Sequence, residues 1–103
     1  MLEIEDFRQI NQLEKIAITK HAKERLIERK IYVSDILKCI SEGEIIMQYE
    51  DDKPLPSCLI LGKSETNKEM HIVVSTDRKF IYLITAYFPD PQKWEKDFKT
   101  RKG

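Results

Sequence analysis

The side chains best suited to moving protons or gripping phosphate in this 103-residue sequence are two histidines and a set of arginines, lysines and tyrosines at suggestive spacings. His71 sits inside Met70-His71-Ile72-Val73-Val74-Ser75-Thr76, an apolar run with strand character. An imidazole with an unperturbed pKa of about 6.5 can exchange a proton near neutrality. In KHAKERLIERKI, His21, Arg25 and Arg29 recur every fourth residue, which on a helix puts them along one stripe at about 6 Å per step. Arginine suits phosphate because its guanidinium presents a bidentate fork and stays charged. Cutting RNA by internal attack needs a group to take the 2′-hydroxyl proton, another to protonate the departing 5′-oxygen, and cations around the pentacoordinate phosphate. His71, Tyr82 and His21 are the proton-transfer candidates, and Arg25, Arg29 and Lys53 are the phosphate-binding ones, on the condition that the fold brings them together.

Each has a plainer reading. A histidine within a strand can be a hydrogen-bonded structural residue, and the α-helical stripe can be a solvated face with its arginines paired to Glu24 or Glu28. In YEDDKPLPSCLILGK, Lys53 and Ser57 accompany paired acids, yet the two prolines there more simply make a rigid entry into a strand. Tyr87 and Trp94 read as core aromatics, and the cations of KDFKTRKG as complements to a helix end. Catalysis requires His71, Tyr82 and Arg25 to converge in one basic concavity, whereas a binding module shows an apolar patch with those residues apart. A fully buried His71 with backbone partners removes the enzyme reading.

The elements that must position these groups follow from periodicity. Leu2, Ile4, Phe7, Ile10 and Leu13 recur at three- and four-residue steps and predict a helix over Leu2 to Lys15. Ile16 to Ile18 forms a short extended link. Thr19 caps a second helix to about Lys30, and Ser34 caps a third that stops at Gly43. Glu44–Tyr49, Cys58–Lys63, Met70–Thr76 and Lys79–Tyr87 are strands joined as an antiparallel meander. Asp90-Pro91 opens a closing helix carrying Trp94 and Phe98. The expected fold is therefore α+β: N-terminal helices, a four-stranded antiparallel sheet with helices on one face, and a C-terminal helix. With Asp77-Arg78 as a two-residue turn, Thr76 faces Lys79, Val73 faces Tyr82 and Met70 faces Thr85. Parity then puts Met70, Ile72 and Val74 with Ile81, Leu83, Thr85 and Tyr87 toward the helices, and His71, Val73 and Ser75 with Phe80, Tyr82, Ile84 and Ala86 on the opposite, working face.

Length predicts one domain spanning 1–103. Lys+Arg and Asp+Glu both number 18, so a nucleic-acid site must be a local patch rather than a whole-domain field. No run approaches the roughly 18 apolar residues of a membrane span, and the acidic start MLEIEDF lacks the basic opening of a secretory signal, so the expectation is a water-soluble cytoplasmic protein. Cys39 and Cys58 have no metal-ligand spacing and read as small buried residues. No metal site, cofactor or phosphate-cradling glycine loop is indicated.

The succession KHAKERLIERKI, SDILKCISEGEII, YEDDKPLPSCLILGK, MHIVVSTD and ITAYFPDPQKWE resembles domain-of-unknown-function family 4258 from Ile18 to Phe98, with a core over 19–98 and the 1–15 helix outside it. The matching positions include His21, Arg25, Arg29, Pro54, Ser57, Gly62, His71, Thr85, Tyr87 and the Pro89 to Trp94 stretch. That resemblance implies a branch of the RelE/ParE toxin superfamily, near the MqsR-type messenger-RNA interferases and often beside a zinc-ribbon antitoxin gene. It further implies a metal-independent endoribonuclease of a toxin–antitoxin pair, acting on messenger RNA or at the ribosome, with His71 where the interferases carry a catalytic strand tyrosine and Lys53 loosely at their catalytic lysine. The balanced charge departs from the basic character of ribosome-dependent toxins. The rival expectation is a non-catalytic module of toxin-like fold that binds a protein by strand addition, with Glu44–Tyr49 as a plausible edge.

Overall fold

The computed structural model describes residues 1–103. Its elements are α1 (Ile4–Arg8), a single 3-10 turn (Leu13–Lys15), β1 (Ile16–Ile18), α2 (Lys20–Arg29), α3 (Val33–Glu42), β2 (Glu44–Tyr49), β3 (Ser57–Lys63), β4 (Glu69–Thr76) and β5 (Ile81–Tyr87). The strands form one five-stranded sheet in the order β1-β5-β4-β3-β2. β2 to β5 are the expected antiparallel meander, and β1 adds a fifth strand parallel to β5. A parallel partner needs a long connection: α2 and α3 carry the chain to β2 at the far edge, and the meander brings it back to β5. The short link at Ile16 to Ile18 is thereby an edge strand, with Ile16 opposite Ile81 and Ile18 opposite Leu83.

Two expected helices are corrected. The Leu2 to Lys15 stripe is helical only over Ile4–Arg8. Tertiary hydrogen bonds take over from there: Arg8 donates to the carbonyls of Ile40 and Gly43, and the Asn11 amide to Leu37. A segment this short has little intrinsic helix stability to set against them. No helix follows Asp90-Pro91 either. Asp90 and Asp97 accept backbone N–H groups two and three residues ahead, at Gln92, Lys99 and Thr100, and so close local turns in place of a helical ladder. Trp94 bridges to Arg101 instead.

α2 starts where expected, with Thr19 Oγ1 accepting from Ala22 N at 3.1 Å, and ends on Lys30 in the left-handed region at φ 58°. α3 begins a residue before Ser34; Asp35 supplies the cap by accepting from Tyr32 N at 2.8 Å. Buried Leu26, Ile36, Cys39 and Ile40 pack on Cys58, Ile60, Ile72, Val74, Ile81 and Leu83, each fully buried Leu, Ile or Val side chain contributing about 1.5–3 kcal/mol. α3 lies so close to β3 that a Cβ on Gly62 would stand 2.7 Å from Cys39 Sγ.

The β4–β5 pairing decides what shares a face with His71. The loop is four residues, Asp77 to Phe80, because Asp77 Oδ1 accepts from both Lys79 N and Phe80 N and Thr76 pairs with Ile81. The expected two-residue turn is thus replaced by a longer one, which leaves the parity of Ile81 and Leu83 unchanged. A bulge follows: Val74 pairs with Leu83 but Val73 with Thr85, leaving Ile84 as the extra residue. Beyond it the faces exchange. Ala86 goes into the core, while Thr85 and Tyr87 join His71 and Val73 on the face away from the helices. No helix is long and apolar enough to cross a membrane.

Candidate functional site

His71 opposes Leu61 on β3 and Tyr87 on β5, near the end of the sheet that the C-terminal segment covers. It is 0% exposed. Nε2 lies 2.8 Å from the Phe98 carbonyl oxygen, which only accepts, so Nε2 carries the proton. Nδ1, 3.2 Å from the Tyr87 hydroxyl, then accepts from the phenol. Trp94 stands edge-on to the imidazole at 4.5 Å between ring centroids, itself only 5% exposed. Burial lowers the His71 pKa, partly countered by the Phe98 carbonyl and Glu69. The ring is a neutral, doubly bonded staple between the sheet and the C-terminal segment.

Tyr87 is half-buried, and its hydroxyl is the one titratable side-chain partner hydrogen-bonded to His71. Burial raises its pKa, as does Tyr49, whereas Arg101 and Arg29 lower it. Arg29 comes round the part of β5 that β1 does not cover, donating to the Ala86 carbonyl at 2.8 Å and to Thr85 Oγ1 at 3.3 Å. Arg101 lies over the Trp94 ring at 5.7 Å. Neither guanidinium is taken up by any of the chain's ion pairs.

The remaining expected site residues stand apart from this group. Tyr82 pairs with Ser75, four residues along β4 from His71 and so about 13 Å away. Its hydroxyl donates to Asp77 Oδ2 at 2.7 Å, a bond that raises the Tyr82 pKa and, with the backbone donors, holds Asp77 down to about 2. Arg25 is paired with Glu28 at 3.1 Å, and His21 is exposed on the first turn of α2. Lys53 is exposed in the loop before β3, where its neighbour Asp52 accepts the Ser57 hydroxyl at 2.6 Å. His71, Tyr82 and Arg25 therefore do not share one basic concavity. The groups that do meet are His71, Tyr87, Arg29 and Arg101. Tyr87 and Arg101 escaped selection because a bulge and a turn, neither marked by glycine or periodicity, move them there.

A second feature lies at the opposite side of the sheet. β1 is an open edge with an apolar groove on each face. On the helix side Ile16 and Ile18 run beside Lys23, Ile27, Tyr32 and Val33, with Ile27 69% and Tyr32 68% exposed. On the other side Ala17 and Ile18 adjoin Tyr82 and the bulge residue Ile84, which is 47% exposed. The other edge, β2, is partly occupied by the chain itself: the Gln48 side chain bonds both the N–H and the carbonyl of Leu2.

Residues 18–88 match the family model described as Domain of unknown function (DUF4258). The chain belongs to the DUF4258 family. No curated protein and no solved structure matches it. The DUF4258 match runs from the last residue of β1 through the meander to Phe88, so His71, Tyr87 and Arg29 lie inside it. Trp94, Phe98 and Arg101 lie beyond it, so the part of the chain that seals His71 is outside the matched span.

Proposed function

We propose that this chain is a non-catalytic protein-interaction module of RelE/ParE toxin-like fold, binding an extended segment of a partner along β1. The observation that carries this reading is an edge strand with unpaired backbone groups flanked by apolar grooves on both faces, the arrangement that strand addition uses. The zinc-ribbon protein implied by the family resemblance is the first partner to test. The state of His71 supports the same reading. Both ring nitrogens are engaged and burial disfavours its protonation, so it is poorly placed to exchange protons with a substrate.

A second reading rests on Tyr87. Its hydroxyl gives a proton to His71 and keeps its lone pairs toward solvent, with the Arg29 and Arg101 cations nearby. In a metal-independent endoribonuclease, Tyr87 would take the 2′-hydroxyl proton while passing its own to His71, the 2′-oxygen would attack phosphorus and expel the 5′-oxygen, that oxygen would take a proton from water, and the hydroxide left would recover the proton from His71 through Tyr87. One experiment separates the two. Wild type and Tyr87→Phe are expressed at equal level in a bacterial host with RNA 5′ ends mapped, and amide exchange is followed with and without the zinc-ribbon partner. Unchanged RNA ends and slowed exchange in β1 and along β5 support the module. New ends that disappear with Tyr87→Phe support the nuclease and overturn it.

A further inference from the structure

Charge is unevenly spread around this sheet although the chain is neutral overall. Between Glu14 and Lys30, the stretch that holds β1 and α2, six cations stand against three carboxylates, and one of the three, Glu28, is taken by Arg25. Lys15, Lys20 and Lys23 have no carboxylate partner. Lys15 lies over the Phe80 ring at 5.5 Å, Lys20 is the first residue of α2, separated from β1 only by Thr19, and Lys23 lines the groove beside Ile27. The β2 edge has the reverse character, with Glu44 at the start of the strand and Glu50, Asp51 and Asp52 just after it.

We infer that the occupant of the β1 edge is an acidic extended segment of another protein, with small apolar side chains at consecutive positions filling the two grooves in turn and flanking carboxylates facing Lys15, Lys20 and Lys23. This rests on the strand-addition reading and adds to it the chemistry of the partner. A strand alternates its side chains between the two faces, so one short segment fills both grooves at once. A second copy of this chain fits poorly. A two-fold pairing of β1 with β1 would bring each set of lysines against its own counterpart, and a β1-to-β2 contact is heterologous and builds open chains of molecules. β1 is three residues long and the Ala86 carbonyl farther along β5 is already used by Arg29, so the contact is short and its charge complement sets much of its specificity.

The test uses two synthetic peptides of about seven residues, a typical strand length. Both have a central run of consecutive valines and alanines, which supplies apolar side chains to both faces; one is flanked by glutamate and aspartate, the other by lysine. Each is titrated to millimolar concentration into the isotopically labelled protein at low salt, with amide resonances recorded. The expected result is movement of the Ile16 to Ile18 and Ile84 amides by the acidic peptide, with the lysine peptide binding about tenfold more weakly. The double variant Lys20→Glu/Lys23→Glu should reverse that order. Both residues are exposed, and a carboxylate in the first turn of α2 favours the helix, so the fold is kept. Equal binding of the two peptides at β1 overturns the acidic partner while leaving strand addition standing. No shift at β1 with either peptide, or shifts confined to β2, overturns both.

Discussion

Replacing His71 with alanine tests whether the imidazole is a structural staple. The variant loses the hydrogen bond to the Phe98 carbonyl and the one from the Tyr87 hydroxyl, at about 1 kcal/mol for each neutral bond, less for the phenol because it can turn to water. It also loses the perpendicular ring contacts with Trp94 and Tyr87, at about 0.5–1.5 kcal/mol, and leaves a void at a fully buried position. The expected destabilisation is about 2–4 kcal/mol, a large share of what a domain of this size has. Trp94 is the only tryptophan, so its fluorescence reports the covering segment while far-ultraviolet circular dichroism reports the sheet and helices. Urea unfolding should show a lower midpoint, with native-state Trp94 emission already shifted toward that of exposed indole. The sign of the pH effect follows from the lowered pKa. Between the folded-state value and the unfolded value of about 6.5 the unfolded chain binds more protons, so the contribution is complete above 6.5 and declines as pH falls through the folded pKa. Wild type should lose stability over that window and His71→Ala should lack that component. An unchanged midpoint and unchanged Trp94 emission in His71→Ala would refute the staple.

Tyr87→Phe removes the donor to His71 Nδ1 and should cost about 1 kcal/mol in urea unfolding without altering the β1 edge, which peptide titration checks. Gly62→Ala places a Cβ against Cys39 and should cost about 1–3 kcal/mol through displacement of α3 from β3, measured the same way. Burial pushes the Cys39 thiol up to about 12, aided by Asp35, and the Cys58 thiol to about 12, so neither should react with a thiol-disulfide reagent at pH 8 until urea unfolds the chain. At low pH, Asp77 should remain ionised down to about 2 in the folded protein, and the stability it lends, complete above its unfolded value of about 3.9, should fade as pH falls from there through about 2; carbon-13 titration of its carboxyl checks this.

Much of the fold is written in local pattern. Thr19 before an apolar-periodic run starts α2, Cβ-less Gly43 and Gly62 mark where α3 meets the sheet, and alternating Ile, Val and Leu mark β3 and β4. These signals depend on neighbours a few residues away, so they survive reading one residue at a time. The stripe over Leu2 to Lys15 misled because the same apolar spacing also suits a chain that drops its helix after Arg8 and still packs Ile10 on the core, once Arg8 and Asn11 find acceptors on α3. Burial of His71 counts against catalysis, and only the packing of Trp94 and Phe98, far along the chain, supplies it. The same holds for β1: three residues of Ile and Ala have no strand identity until α2, α3 and then the β2 to β4 meander return the chain to β5, and that pairing is a tertiary fact. The sequence by itself determined which residues are apolar, where most elements begin and which family the chain resembles. Tertiary structure alone decided the bulge at Ile84, the resulting meeting of His71 with Tyr87, and the open edge at β1, because side-chain parity and edge position depend on pairing partners far away in the chain.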